Sequence, residues 1–260
     1  MPTDFEPSKG RGAGSNPLNR FERLEYVRDD EAPPDGPTET IYYRDPSRSI
    51  IARNDSPDVG FETSVNPYRG CEHGCAYCFA RPTHEYLGFS AGLDFESRIM
   101  VKEDAPELLR EELASPSWRP RTIAISGVTD PYQPIERKLG LTRRCLEVLV
   151  EARNPVVIIT KNATVTRDMD LLGELATRNA AAVCFSITTL DGSLVSRMEP
   201  RTSRPSLRLE AIERLVGEGV PVGVLVAPVI PAINDHEIPS ILEAVRARGA
   251  SFAAYVLLRL

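Results

Sequence analysis

Apolar residues along this chain fall into short continuous runs, separated by longer stretches with the periodicity of amphipathic helices. The runs are rich in β-branched residues, a composition typical of buried strands. Between them, an early proline and acidic residues in a first turn mark a helix start most clearly at Asp104–Glu107. The predicted strands cover 61–68, 122–126, 156–160, 182–187, 220–226 and 252–258, with shorter ones at 41–43, 49–52 and 98–101. The predicted helices cover 76–85, 104–113, 142–149, 168–177, 206–217 and 237–248, with Thr142 as one cap and Asn234 or Asp235 as another.

This alternation predicts the α/β class. Runs that are apolar on both faces suit parallel strands covered by helices, and repeated strand–helix units imply right-handed crossovers. The pattern gives roughly six βα units, against eight in a closed TIM barrel. We therefore predict a partial, three-quarter (βα)6 TIM-like barrel.

The first forty residues differ from the rest of the chain. They are rich in Pro, Gly, Asp, Glu and Arg and have no apolar periodicity. We predict that residues 1–45 form a disordered or loosely ordered N-terminal arm, and that residues 46–260 form one core domain.

Composition narrows the class of protein. The chain has 260 residues, of which 42% are hydrophobic and 26% charged, values typical of one sizeable globular domain. Neither an apolar run of transmembrane length nor a signal-peptide core is present, which favours the cytoplasm and no membrane contact. A net charge of −6 does not favour nucleic acid as a partner, although a local basic patch stays possible. Four arginines are candidates either for such a patch or for a solvated helix face: Arg197, Arg201, Arg204 and Arg208.

Three cysteines lie within eight residues, in the pattern C-x3-C-x2-C formed by Cys71, Cys75 and Cys78. Thiols so placed more often bind metal than form a disulfide in an intracellular chain. Two metal sites fit: a zinc site that takes a fourth ligand from His73 or His84, or an iron–sulfur cubane held by three thiolates with one iron left open. The remaining cysteines, Cys145 and Cys184, sit in apolar segments and are expected to be buried hydrophobes.

The cysteine motif and its flanks resemble the radical S-adenosylmethionine (SAM) superfamily. Tyr77 stands just before the last cysteine, as an aromatic residue does in that signature. The runs Asn66–Cys75 (NPYRGCEHGC) and Phe79–His84 (FARPTH) are similar to a bacterial branch related to the spore photoproduct lyases. The similarity extends from about Ile50 to the last residue. Members of the family usually continue past this point, so the chain is expected to lack a C-terminal extension.

The resemblance implies a cofactor pair and a reaction. A [4Fe–4S] cluster held by the three cysteines would bind SAM at its open iron and cleave it reductively to a 5′-deoxyadenosyl radical. The electron would come from an external donor of the flavodoxin or ferredoxin type. Tyr77 is expected either to contact the adenine or to pack beside the cluster.

Sites in parallel α/β barrels form at the carboxyl ends of the strands, which selects further candidates. By resemblance, Gly127 belongs to a strand end that contacts the methionyl amine, and Thr129 and Asp130 are positioned in sequence to accept from that amine. Lys161 follows the third strand and is either a partner of an anionic group or a surface lysine. Ser186 after the fourth strand, and Glu199 by resemblance to the E-P-R pattern of the family, are candidates for contacts with the cofactor. Glu199 is alternatively a partner of Arg201 in a salt bridge, and capping or loop structure is an alternative for both residues. No catalytic residue is assigned beyond these cofactor-binding candidates.

Three hypotheses for the function stay open. The first is a radical SAM enzyme that acts on an unspecified small molecule, protein or RNA. The second is a DNA-lesion repair lyase like spore photoproduct lyase, but Ser126 and Gly127 stand where such an enzyme needs a cysteine, and Cys145 lies inside a predicted helix. The third is a zinc-binding scaffold without catalysis.

Overall fold

The computed structural model of the chain describes residues 10–22, 39–55 and 60–258. Within these ranges the strands are β1 (Ile41–Arg44), β2 (Ile51–Arg53), β3 (Thr63–Val65), β4 (Tyr68–Arg69), β5 (Arg98–Val101), β6 (Ile123–Ile125), β7 (Val156–Thr160), β8 (Ala181–Ser186), β9 (Val222–Val229) and β10 (Phe252–Leu257). The α-helices are α1 (Asp94–Ser97), α2 (Ala105–Ala114), α3 (Glu136–Leu139), α4 (Leu141–Ala152), α5 (Met169–Ala176), α6 (Gly192–Met198), α7 (Pro205–Gly217) and α8 (Ile238–Arg246). Three 3-10 helices cover Arg81–Leu87, Ala163–Asp168 and Asp235–Glu237.

A seven-stranded sheet forms the centre of the fold, in the order β10-β9-β8-β7-β6-β3-β2. Six neighbouring strands, from β3 to β10, run parallel, and only β2 at the edge runs antiparallel to its neighbour. Helices connect the strands from β6 onwards, as the apolar runs predicted. The α/β class is confirmed, and the number of parallel strands equals the predicted six.

A second, three-stranded sheet has the order β1-β5-β4, with β1 parallel and β4 antiparallel to β5. It brings Tyr68 and Arg69, the residues just before the cysteines, next to Met100 and Val101. The predicted strand over 61–68 is therefore two strands in two sheets. The short predicted strands at 41–43 and 98–101 are present as β1 and β5.

The main core lies between the parallel sheet and its helices. Strands β6, β7 and β8 contribute Ile123, Ile158 and Val183, which are fully buried among side chains of α4, α5 and α7. Cys145 and Cys184 are both buried, as predicted, and Cys145 belongs to this core. The last strand, β10, is exposed along its whole length.

Some local predictions were wrong. The predicted helix over 76–85 is instead the 3-10 helix Arg81–Leu87, with Pro82 in its first turn. Thr142 does not cap α4, because the helix already begins at Leu141 and the Thr142 hydroxyl donates to Pro131 O at 2.7 Å. Asn234 precedes a 3-10 turn without capping it through its side chain, which instead donates to Thr188 O and Pro228 O.

Part of the predicted N-terminal arm lies against the rest of the fold. Residues 10–22 run across α1 and the 3-10 helix Arg81–Leu87, where Arg11 is buried and Asn19 donates to Glu85 O and Phe89 O. Residues 1–9 and 23–38 of that predicted arm lie outside the described residues, and the division at 45 stays a prediction. None of the helices in the described ranges is long and apolar enough to cross a membrane.

Candidate functional site

The three cysteines lie on a loop that follows β4, residues 70–78, called here the cysteine loop. Gly70 and Gly74 in this loop have φ of +78° and +66°, a region that side chains with a Cβ rarely adopt. At Gly70 a Cβ would also lie 2.9 Å from the His84 ring and from Phe95 O. Glycine therefore permits the local backbone path at both positions.

The three thiols are free and largely shielded from water. Cys71 is buried, while Cys75 and Cys78 are partly buried, and Cys71 and Cys78 pack against Ala80 and Phe95. Burial raises the pKa of all three thiols, and the thiols also influence one another, Cys75 acting on Cys71 and Cys78 on Cys75. A bound cation reverses such a shift, because it stabilises thiolate over thiol.

The loop after β6 fixes the cysteine loop from one side. The buried Gln133 amide donates to Gly70 O at 3.2 Å, and its oxygen accepts from Glu72 N at 3.0 Å. The carboxylate of Glu72 in turn accepts from Ile135 N at 2.9 Å. Gln133 is not among the candidates that the sequence analysis named. An amide that satisfies both a donor and an acceptor of the cysteine loop is visible only once the two loops are adjacent.

Asp130 and Thr129 are engaged within the protein. Asp130 accepts from Lys161 N at 2.7 Å and from the Thr160 hydroxyl at 2.8 Å, and it lies 3.4 Å from His73 Nδ1. Burial alone would raise the pKa of Asp130, but His73 and the backbone N–H groups of Lys161 and Tyr132 lower it overall. The Thr129 hydroxyl donates to Tyr68 O at 3.0 Å. Both residues therefore hold neighbouring loops together, and their predicted contact with a methionyl amine stays a prediction.

Gly127, the remaining candidate of this loop, has φ of +106° and lies beside the Phe61 ring, with a built Cβ 3.5 Å from it. The positive φ by itself accounts for a glycine at position 127, because residues with a Cβ rarely adopt it. The role of Gly127 at the cofactor stays a prediction.

A buried polar cluster lies next to the cysteine loop at the carboxyl ends of β7 and β8. It consists of Tyr77, Lys161, Ser186, Thr188, Glu199 and Arg208. The Lys161 ammonium donates to Ser186 Oγ at 2.6 Å and lies 3.1 Å from Glu199 Oε1. Only 14% of the Lys161 side chain is exposed, so the alternative of a surface lysine was wrong.

Glu199 is the centre of the polar cluster. Its other oxygen pairs with Arg208 Nη2 at 2.5 Å, and both side chains are buried. Burial would raise the pKa of Glu199, but Lys161 and Arg208 together hold it well below its usual range. The alternative that Glu199 forms a salt bridge with Arg201 was wrong, because Arg201 instead approaches Glu72 at 3.5 Å. Arg208 is neither part of a basic patch nor on a solvated helix face.

Tyr77 joins the cysteine loop to the polar cluster. Its hydroxyl bonds to Glu199 and lies 3.1 Å from Thr188 Oγ1, and Lys161 Nζ lies 5.5 Å from its ring centre. Burial, Cys75 and Glu199 all raise its pKa. The observed contacts of Tyr77 are with the polar cluster, and both an adenine contact and packing beside an iron–sulfur cluster stay predictions.

Neither histidine of the zinc alternative points to a closed ion site. His73 lies against Asp130 and Asn162, and His84 Nε2 bonds to Arg98 O at 2.8 Å. In the part of the chain that the structure describes, no three His, Cys, Asp or Glu side chains are grouped to hold a single metal ion.

The buried side chain of His84 is expected to make the stability of the fold depend on pH. Burial lowers its pKa, so below about pH 6.5 the unfolded chain takes up a proton that the folded chain does not. The stability that neutral His84 contributes is fully present above the pKa of this histidine in the unfolded chain. It is lost as the pH falls through the pKa of His84 in the folded chain. We expect the free energy of unfolding to decline over this window, and His84→Phe, which can still stack on Phe89, to decline less steeply. Urea unfolding at a series of pH values measures both slopes, and equal slopes would show that His84 is not the cause.

Comparison with known proteins identifies relatives of this chain. A model of the Radical SAM superfamily matches residues 65–245. An uncharacterized protein of Mycobacterium tuberculosis is 39% identical over 193 residues, 74% of this chain and 57% of that protein. One from Methanocaldococcus jannaschii is 30% identical over 178 residues, 68% of this chain and 64% of that protein. A spore photoproduct lyase mutant with bound AdoMet and dinucleoside spore photoproduct superposes with a TM-score of 0.62 at 17% identity, over 84% of this chain and 62% of that one. The chain spans less than two thirds of the length of each.

Proposed function

The chain belongs to the Radical SAM superfamily, and from this premise we propose that it is an enzyme that cleaves SAM at a [4Fe–4S] cluster. The observation that carries the proposal is the position of the three free cysteines beside the buried Lys161–Glu199 pair, where two parallel strands end. When bound, the cluster and SAM supply a one-electron cleavage that leaves a 5′-deoxyadenosyl radical. The residues of the chain bind, orient and shield.

Cys71, Cys75 and Cys78 are the ligands that we propose for the cluster. The donor set fits, because three thiols on one loop are shielded from water and none forms a disulfide. A cubane spreads its ligands over separate iron atoms, so it does not need the convergence on one point that a zinc ion needs. Because His73 and His84 are bonded to other groups, neither supplies the fourth ligand that the zinc alternative requires, which favours the cluster over the zinc scaffold.

The polar cluster is the proposed site for the amino-acid end of SAM. Lys161 carries a positive charge that suits a carboxylate, and Glu199 carries a negative charge that suits an ammonium group. Both charges are held in a site with little water, where charge pairs act more strongly than at a surface. Ser186 holds the lysine in place, and Tyr77 closes the side facing the cysteine loop.

Lysine at position 161 is expected to contribute to SAM affinity. Lys161→Met keeps most of the apolar stem but removes the ammonium, so we expect SAM to bind at least tenfold more weakly, a loss of about 1.4 kcal/mol or more. Isothermal titration of the reconstituted protein measures this. Lys102→Met, a change of the same kind outside the polar cluster, serves as the control. Equal affinity in the wild type and Lys161→Met would remove Lys161 from the proposed site.

A DNA-lesion repair activity is a second candidate, and one structural observation weighs against it. The thiol of Cys145 is fully buried in the main core, and Cys184 is buried in β8. The loop that begins at Ser126 offers a hydroxyl instead of a thiol. Binding that falls steeply with salt would indicate phosphate contacts, and its absence would exclude this candidate.

Several broader features belong to the same proposal. The six parallel strands support a partial, three-quarter barrel, with residues 46–260 as the core domain. The reduction requires an external electron donor, for which a flavodoxin or ferredoxin is proposed. A cytoplasmic location follows from the need to keep the thiols reduced and to assemble a cluster.

Anaerobic reconstitution with iron and sulfide tests the central claim. We expect about four irons per chain, a brown protein, and an EPR signal of the reduced cluster that changes when SAM is added. One colourless zinc per chain would support the scaffold alternative. A cluster signal that SAM does not perturb would contradict the proposed use of the open iron.

A further inference from the structure

The segment 10–22, called here the strap, lies directly on the cysteine loop. Gly12 contacts Gly74 so closely that a Cβ at Gly12 would stand 1.7 Å from Gly74 O. No side chain larger than hydrogen fits there. Gly74 is enclosed on its other sides as well, since its own Cβ would lie 2.8 Å from Glu96 Oε2 and 3.3 Å from the Pro200 ring.

Glu96 connects the strap to the backbone of a cysteine. Its buried carboxylate accepts from Gly12 N at 3.0 Å and from Ala13 N at 2.9 Å. The same carboxylate pairs with Arg81 at 2.5 Å, and Arg81 donates to Cys75 O at 2.8 Å. A continuous chain of charge-assisted bonds therefore runs from the strap through Glu96 and Arg81 to Cys75.

The rest of the strap is anchored along the neighbouring elements. Ser15 O accepts from Leu93 N at 3.2 Å, and a Cβ at Gly92 would lie 2.0 Å from the same oxygen. Asn16 exchanges two bonds of 2.9 Å with Asp94. These contacts are specific in distance and direction, so the strap has a defined position on the fold.

We propose that the strap positions and shields the cysteine loop, with Gly12, Arg81 and Glu96 as positioning residues. The strap satisfies two of the hydrogen bonds that the buried Glu96 carboxylate needs, and that carboxylate holds the arginine that fixes Cys75. Without the strap, water reaches Glu96 and Gly74, and the cysteine loop opens more often. The consequence for a cluster rests on the proposed function, whereas the consequence for the loop itself does not.

Gly12→Ala tests the proposal in the full chain. Gly12 has no positive φ in the structure, so alanine is excluded by the contact with Gly74 alone. Gly217→Ala is the matched control, because that position also has an ordinary φ and nothing lies within 4 Å of a built Cβ. A second variant that lacks residues 1–22 removes the strap without adding a side chain.

Hydrogen exchange of the metal-free protein is the first measurement. We expect amides of residues 71–78 to exchange on the order of tenfold faster in Gly12→Ala and in the shortened chain, with the main sheet unchanged. The Gly217→Ala control is expected to match the wild type. Unchanged exchange at 71–78 in both strap variants would overturn the proposal, whether or not a cluster forms.

The reconstituted protein gives a second, independent measurement. In the strap variants a chelator is expected to remove the cluster several-fold faster. The midpoint potential is also expected to move to more positive values, because water stabilises the charge of the added electron. Faster loop exchange in a protein that assembles no cluster would support the strap and contradict the proposed function. An unchanged potential and rate of cluster loss would overturn the shielding role.

Discussion

Replacing Cys75 with alanine is expected to abolish cluster assembly, so that iron falls from about four per chain to near zero after anaerobic reconstitution. The physical reason is that three thiolates are the only proposed protein ligands, and an iron that loses its thiolate is open to solvent and to chelators. SAM cleavage is expected to fall to background in the same variant. Iron and sulfide analysis together with EPR of the reduced protein measures the result. The same outcome is expected for Cys71 and Cys78.

Cys145→Ala is the control for this experiment. Its thiol is buried in the main core and is not a proposed cluster ligand. The variant is therefore expected to keep its cluster, with a free energy of unfolding lower by about 1 kcal/mol. A full cluster in Cys75→Ala would disprove the ligand assignment. Loss of the cluster in Cys145→Ala alone would show that assembly depends on the core rather than on the cysteine loop.

Replacing Glu199 with alanine is expected to lower the free energy of unfolding by about 3–5 kcal/mol, because it leaves the buried Arg208 without its countercharge. Lys161 loses its partner in the same change, with its ammonium already within the fold. Urea unfolding of the metal-free protein at neutral pH measures the effect, so the result does not depend on the cluster. SAM binding by the reconstituted variant is expected to be lost as well.

Two control variants distinguish the cost of breaking a buried ion pair from the cost of removing a charged side chain. Glu151→Ala breaks the exposed pair between Arg110 and Glu151, whose side chains are 52% and 59% accessible, and is expected to cost no more than about 1 kcal/mol. The double variant Glu199→Gln with Arg208→Met removes the buried pair as a unit and is expected to recover much of the loss. A similar cost for Glu199→Ala and Glu151→Ala would contradict the importance given to the buried pair.

The fold was predictable wherever the pattern was local and strong. The parallel strands after 122 and the helices between them follow from β-branched runs and amphipathic periods, and their ends differ from the prediction by only a few residues. The first strand was predicted less well, because apolar residues on both sides of Asn66 and Pro67 suggested one strand over 61–68. In the structure the chain turns there, and Tyr68 pairs with Val101 in another sheet.

Some residues of the candidate site were also predictable from the sequence, and others were not. The cysteine loop was identified from its spacing and from the family resemblance of its flanks. Lys161 was named from its place after a strand, and Glu199 from the family resemblance. Their partner Arg208 and the amide of Gln133 were missed, since each acts across a long separation in sequence. Nothing in the local composition around Arg11 and Gly12 indicated that residues 10–22 would pack on the cysteines.

The amino-acid sequence by itself determined which groups are available and how far apart they are along the chain: three thiols in eight residues, and six strand–helix units. These features depend on covalent spacing and on side-chain periodicity, which are fixed before the chain folds. Only the tertiary structure decided which charge faces which. Once parallel strands align their carboxyl ends, Arg208 is buried with Glu199, and Arg201 is left to approach Glu72. A buried charge requires a partner, and the order of the strands determines which partner is within reach.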